Sequence, residues 1–155
     1  MKTLMKNILP FMPRNLIHCD VGARWGIDKP WKSFRDLIDL LSFEPDKEEY
    51  ESLMKNKDAN DMIYQYALYK ETQNISLNLT KNKGCSSLYK PNHDFLRNIP
   101  DLNRFEIEDV VTVKATSLDA LYRDRVFSNM DFIKIDVQGA EFDILQGGET
   151  FLREN

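Results

Sequence analysis

Residues 15–26 have the sequence Asn-Leu-Ile-His-Cys-Asp-Val-Gly-Ala-Arg-Trp-Gly, a short apolar run that leads into a turn with two glycines. An apolar run of this length, bounded by a glycine turn, is typical of a buried strand. The turn has the spacing G-x-x-x-G, which differs from the G-x-G-x-x-G of dinucleotide-binding folds. We therefore expect a strand that ends near Asp20 and a turn at which the backbone can approach a ligand closely.

Strands and helices alternate along most of the chain. Apolar runs predict further strands at 40–44, 62–68 and 131–136, and periodic apolar residues predict helices at 30–37, 46–55 and near 118–122 and 142–145. Residues 75–80 and 110–115 instead alternate polar and apolar side chains, and 75–80 predicts a half-exposed antiparallel strand. The order predicts an α/β fold, namely a Rossmann-like three-layer sandwich with a mostly parallel sheet, helices on both faces and a short antiparallel hairpin insertion.

Three acidic residues, Asp20, Glu44 and Asp136, each end a predicted strand. One such residue alone is more often a turn or cap residue, but ligands of parallel sheets bind at the carboxyl ends of the strands, where all three would meet. Glu44 follows Gly22 by 22 residues (44 − 22), a spacing typical of a carboxylate that binds ribose hydroxyls. A carboxylate at Asp20 would repel a pyrophosphate and attract a sulfonium or ammonium group, so the charge favours S-adenosylmethionine over NAD.

Four motifs together resemble the FkbM family of class I S-adenosylmethionine-dependent methyltransferases. They are Asp20-Val-Gly-Ala-Arg-Trp-Gly26, Phe43-Glu-Pro-Asp46, Cys85-Ser-Ser-Leu-Tyr-Lys-Pro-Asn92 and Ile133-Lys-Ile-Asp-Val-Gln-Gly-Ala-Glu141. Their order and spacing also agree with that family. The resemblance implies a methyltransferase, with O-methylation of a sugar or another small natural product as the expected reaction.

The resemblance also implies roles for individual residues. It places the methionine end of the cofactor at Asp20, Gly22, Ala23 and Gly26, the ribose at Glu44, and the adenine beside Pro45, Asp46, Ala67 and Leu68. Asp136 would lie near the methyl group, as the candidate catalytic residue and as a further cofactor contact.

Composition excludes several other classes of function. The net charge of −4 and the pI near 5.2 argue against nucleic acid as a partner. Two cysteines, the lack of a recognisable signal peptide and the lack of an apolar run of membrane-spanning length predict a cytoplasmic protein without a membrane partner. Two histidines and no acidic cation-binding loop predict no metal site.

The length of 155 residues predicts one domain over residues 15–155, preceded by an extension over residues 1–14. The sequence reaches Asn155 where a fifth strand of the seven expected for class I domains should begin, so we expect a C-terminally truncated, incomplete domain. It would be a truncated product, a fragment of a longer chain, or part of a homo-oligomer in which another subunit supplies the strands. Two alternative functions remain open: an NAD-dependent Rossmann oxidoreductase, and a non-catalytic remnant that still binds the cofactor.

Overall fold

The computed structural model describes residues 13–155, and all but the last two residues of the expected N-terminal extension lie outside this part. The strands are β1 (Leu16–Val21), β2 (Ile38–Phe43), β3 (Met62–Tyr64), β4 (Ala67–Leu68), β5 (Gln73–Thr80), β6 (Ile107–Thr116) and β7 (Phe132–Ile135). The α-helices are α1 (Lys29–Lys32), α2 (Lys47–Asn56), α3 (His93–Leu96), α4 (Leu118–Arg123), α5 (Glu141–Gln146) and α6 (Glu149–Glu154).

A four-stranded parallel sheet with the order β3-β2-β1-β7 forms the centre of the fold. In β1, Asp20 is paired with Ser42 of β2 on one side and with Lys134 of β7 on the other. All four strands run in the same direction, so their carboxyl ends lie along one edge. The predicted parallel sheet is confirmed.

Alternate residues of the central strands pack on opposite faces of this sheet. Cys19, Val21, Leu41 and Phe43 join the main core, together with apolar residues of the three C-terminal helices, Leu118, Leu121, Ile144 and Phe151. On the other face, Ile38 and Leu40 pack against the α1 region, where the ring of Trp31 lies 4.3 Å from the ring of His18. Helices therefore cover both faces, as the sequence predicts.

The insertion between β3 and β7 forms a second, mixed sheet with the order β4-β6-β5. The predicted antiparallel hairpin is confirmed, since β5 pairs antiparallel with β6 from Gln73 to Thr80, and β4 adds a parallel strand on the other edge of β6. The predicted third strand at 62–68 is wrong in one respect. It divides at Gln65 and Tyr66, so that β3 belongs to the central sheet and β4 to the second sheet.

Helix boundaries follow the capping residues of the sequence. The Asp46 side chain accepts a hydrogen bond from the Glu48 amide at the start of α2, and Ser117 does the same for the Ala120 amide at the start of α4. The predicted helix at 30–37 is shorter than expected. It is one turn, α1, followed by a 3₁₀ turn over Arg35–Leu37, and Ile38 already belongs to β2.

Among residues 13–155, no helix has both the length and the apolar character that crossing a membrane requires.

Candidate functional site

A cavity of about 180 Å³ opens at the carboxyl edge of the central sheet. Its wall combines the ends of β1, β2 and β7 with β4 and the loop at 83–88 of the insertion. A wider cleft of about 810 Å³ adjoins it and shares Pro45, Tyr66 and Lys83 with it. Because β2 and β7 flank β1, their ends are separated by two strand spacings, or about 10 Å, which suits an elongated ligand.

Glu44 marks the β2 end of the cavity. Its side chain is 3% exposed, and its Oε1 accepts a hydrogen bond of 2.9 Å from the Asp46 amide. Arg24 pairs with Asp46 and Glu49 and lies 3.9 Å from Glu44 Oε1. Burial raises the pKa of Glu44 to about 7, against the opposing effects of the Asp46 amide and Arg24. The result is a poorly solvated hydrogen-bond acceptor on the cavity wall.

The turn after β1 brings the backbone of β1 close to that of β7. Gly22 has φ +79°, and a β-carbon at this position would lie 2.2 Å from the carbonyl oxygen of Asp136. The amides of Gly22 and Ala23 both donate to the Phe43 carbonyl, at 3.0 and 3.2 Å, which fixes the turn against β2. Trp25 and Gly26 also have positive φ angles, of 67° and 72°. The glycine turn is therefore a tight junction between three strand ends.

Asp20 and Lys134 form a partly buried ion pair beside this turn. Lys134 Nζ lies 3.1 Å from Asp20 Oδ1 and 3.4 Å from the Gly22 carbonyl oxygen. Burial raises the pKa of Asp20 to about 6, although the ammonium of Lys134 opposes the shift. Lys134 is on the cavity wall, whereas Asp20 is not among the lining residues.

Asp136 begins the turn after β7 and lines the cavity. Gln138 Nε2 donates to Asp136 Oδ1 at 2.8 Å, and the Glu141 carboxylate accepts the amides of Val137 and Gly139, at 3.1 and 3.0 Å. Burial acts to raise the pKa of Glu141, but the backbone hydrogen bonds outweigh it and hold that pKa below its ordinary value. Glu141 thus stabilises the turn that presents Asp136.

The loop at 83–88 of the insertion and the adjoining Tyr89 contact the turn after β7 and the start of α5. Ser87 Oγ donates to the Gln138 carbonyl at 2.9 Å, and the Tyr89 hydroxyl donates to Asp143 Oδ2 at 2.6 Å. Both contacts bridge segments more than 50 residues apart in the chain. This loop and the turn after β7 form one wall of the cavity.

The structure separates the predicted site residues into two groups. The first group lines the cavity and comprises Gly22, Glu44, Pro45, Ala67, Leu68 and Asp136. The second group, Asp20, Ala23, Gly26 and Asp46, does not line this cavity, although Asp46 lines the adjoining wider cleft. Ala23 is 1% exposed, and Asp46 caps α2.

Several lining residues were not predicted from the sequence. They are Arg24, Trp25, Asp28, Tyr66, Leu77, Lys83, Gly84, Leu88 and Lys134, with others from the same segments. The sequence does contain an indication for Lys134, because a charged residue inside the apolar run Phe-Ile-Lys-Ile needs a partner when the strand is buried. Nothing in the sequence indicated that Trp25 lines the cavity. Its positive φ is unusual for a bulky residue. Its ring lies so close to Gly84 that a β-carbon on Gly84 would be 2.6 Å from the ring.

The profile of the methyltransferase FkbM domain matches residues 20–155. The chain belongs to the FkbM methyltransferase family. No curated protein and no solved structure matches it. FkbM methyltransferases use S-adenosylmethionine, so the resemblance seen in the sequence is confirmed and the nicotinamide-dependent alternative is set aside.

The residues of this FkbM domain fit S-adenosylmethionine in chemical character. Glu44 gives a buried carboxylate for a diol, Pro45, Ala67 and Leu68 give apolar surface for a flat base, and the β7 end gives charges of both signs, Lys134 and Asp136. These are the kinds of surface that a nucleoside joined to a zwitterionic amino acid would contact.

Proposed function

We propose that this FkbM domain transfers a methyl group from S-adenosylmethionine to a hydroxyl oxygen of a small molecule, with saccharides and other small natural products as the acceptor class. The observation that carries the proposal is the position of Asp136, on the cavity wall at the β7 end with its carboxylate held by Gln138 Nε2 at 2.8 Å. A fixed carboxylate can accept a hydrogen bond from an acceptor hydroxyl and so orient an oxygen lone pair.

In this proposal Glu44 binds both ribose hydroxyls, and Pro45, Ala67 and Leu68 enclose the adenine. Asp20, Gly22, Ala23 and Gly26 hold the amino-acid end, with Gly22 at the cavity surface and the other three shaping the turn from behind. Asp46 supports the adenine end by capping α2 and pairing with Arg24. Asp136 is the proposed catalytic residue.

Held by these residues, S-adenosylmethionine would supply a methyl group on its sulfonium, which an acceptor oxygen would attack in line while the carbon–sulfur bond breaks and its electron pair stays on the sulfur of S-adenosylhomocysteine. The chain must then position the acceptor oxygen and provide a destination for its proton. Asp136 accepts that proton and passes it to solvent. Most of the rate enhancement comes from positioning the acceptor oxygen. Substituting Asp136 should therefore lower the turnover number more than it lowers the affinity for the cofactor.

Calorimetry with S-adenosylhomocysteine tests the cofactor site. We expect Glu44→Ala to weaken binding roughly tenfold or more, because a hydrogen bond to a charged group contributes about 1.5–3 kcal/mol. Glu51→Ala is the matched control, since Glu51 is exposed on α2 and its one ion pair within residues 13–155 is with Lys47. Equal binding by wild type and Glu44→Ala would remove Glu44 from the site, and no binding by wild type would reject the proposal.

Transfer of labelled methyl groups tests the acceptor class. Parallel panels of hydroxyl and amine acceptors should give label on the hydroxyl compounds and none in the absence of acceptor. Label on amines alone would overturn O-methylation. Tight binding of S-adenosylhomocysteine with no transfer to either panel would favour the non-catalytic remnant.

A further inference from the structure

Lys134 is the charged residue in the middle of β7, and it lies beside Asp20 because the two residues are register partners in adjacent parallel strands. Side chains of register partners project on the same face of a sheet. The Asp20 side chain is 3% exposed and that of Lys134 is 24% exposed. The pair therefore has a buried acidic end and a cationic end that reaches the cavity.

The ammonium of Lys134 has one donor left for a ligand. It carries three N–H donors, and within residues 13–155 its acceptors are Asp20 Oδ1, at 3.1 Å, and the Gly22 carbonyl, at 3.4 Å. Both acceptors lie on the β1 side, and Lys134 also lines the cavity. A ligand at the β7 end thus meets the ammonium before it meets Asp20.

The neighbouring charges define what this end can bind. Asp28 and Asp136 line the same cavity as Lys134, and Asp136 follows Lys134 by two residues, directly after β7. One cation beside two carboxylates is complementary to a zwitterion, whose carboxylate would face Lys134 and whose ammonium would face an aspartate.

We propose that Lys134 binds the α-carboxylate of the amino-acid end of S-adenosylmethionine, and that Asp20 is a positioning residue that holds the Lys134 ammonium in place. This rests on the proposed function, and it changes the expected role of Asp20 from direct contact with the cofactor to support of Lys134. Lys134 would then distinguish the complete cofactor from nucleosides that lack the amino-acid end.

The test compares two ligands by calorimetry: S-adenosylhomocysteine, which has the amino-acid end, and 5′-methylthioadenosine, which lacks it. Lys134→Met should weaken binding of S-adenosylhomocysteine roughly tenfold or more and leave binding of 5′-methylthioadenosine within about twofold. Lys134→Arg should recover part of the lost affinity, since it keeps the charge. Lys55→Met, an exposed substitution on α2 that removes the same charge, should change neither affinity.

Lys134→Met leaves Asp20 buried without its cation and can destabilise the fold. The double variant Asp20→Asn/Lys134→Met removes both charges and should show the same selective loss. Asp20→Asn alone should also weaken S-adenosylhomocysteine more than 5′-methylthioadenosine, by a smaller factor.

The outcomes separate the two proposals. If the folded double variant weakens both ligands equally, or weakens neither, the role of Lys134 is overturned while binding by wild type still supports the methyltransferase site. If wild type binds neither ligand, the proposed function itself fails, and the role of Lys134 fails with it.

Discussion

Gly22 is the residue whose backbone carries the greatest steric constraint at the site. It combines a φ of +79° with a space in which a β-carbon would lie 2.2 Å from the Asp136 carbonyl oxygen. We expect Gly22→Ala to force β1 and β7 apart at their carboxyl ends, to lower the free energy of unfolding by roughly 3 kcal/mol and to abolish binding of S-adenosylhomocysteine. Urea unfolding and calorimetry measure the two effects.

Gly26→Ala is the matched control for this prediction. Gly26 has a similar φ of +72°, but a β-carbon there would meet only Leu53 Cδ2, at 3.6 Å. The backbone strain alone should cost about 1–2 kcal/mol. If both variants lose the same stability, the steric approach of β1 to β7 is not what requires Gly22.

Single residues also show how far the sequence could predict the site. Glu44 was identified because its position depends only on the end of one strand and on the spacing from Gly22, both visible in the sequence. Lys134 was missed because a lysine inside an apolar run indicates that it needs a partner but not which one, and its partner Asp20 lies 114 positions away and is brought to it by the register of β1 and β7. Asp20 was expected to face the ligand, and register places Lys134 beside it, so that Asp20 lies off the cavity wall while Lys134 lines it.

At the scale of secondary-structure elements, α4 holds α6 in place through one carboxylate. Asp119 Oδ2 accepts the Thr150 amide at 3.1 Å and Oδ1 accepts the Phe151 amide at 2.8 Å, so Asp119 caps a helix whose own N-cap, Gly148, has no side chain to do so. Burial tends to raise the pKa of Asp119, but these two amides outweigh it and lower that pKa.

We therefore expect Asp119→Ala to lower the free energy of unfolding by about 1–2 kcal/mol and to speed amide exchange in α6 more than in α2. Asp124→Ala is the control, because Asp124 is exposed and, in the part of the chain that the structure describes, its ion pair is with the neighbouring Arg123, at 3.8 Å. Hydrogen exchange measured by mass spectrometry resolves the two helices. Uniform acceleration over all helices would contradict a local capping role.

The helices and strands that the sequence predicted well have residues at their ends that mark where they begin or stop. Asp46 and Ser117 cap α2 and α4, and the apolar runs of β1 and β2 end at a glycine turn and at Pro45. The segment at 62–68 failed because nothing local shows that β3 pairs with β2 while β4 pairs with β6. One continuous apolar segment can contribute strands to two sheets, and only the tertiary pairing determines which residues join which sheet.

For the molecule as a whole, two opposite sets of carboxyl groups contribute to how stability varies with pH, and burial lowers the pKa of His18, which acts against the first of these sets. Burial raises the pKa of Glu44 from 4.5 to about 7 and that of Asp20 from 3.8 to about 6. The pKa values of Asp119, Asp131 and Glu141 are instead lowered. The first set favours the folded state at low pH, and the second set loses its stabilisation as pH falls below about 4.

Between about pH 4 and pH 7 the folded protein binds more protons than the unfolded chain at Glu44 and Asp20, so the free energy of unfolding should fall as pH rises through this range. The rise in the pKa of Glu44 from 4.5 to about 7 corresponds to a change in the free energy of unfolding of the order of 3 kcal/mol.

We expect urea unfolding without ligand to show higher stability at about pH 5 than at about pH 7.5, and Asp20→Asn/Glu44→Gln to reduce this difference. Glu51→Gln, at an exposed position, should leave the difference unchanged. A wild type whose stability is equal at both pH values, or a double variant that keeps the full difference, would show that these two buried acids do not determine the pH response.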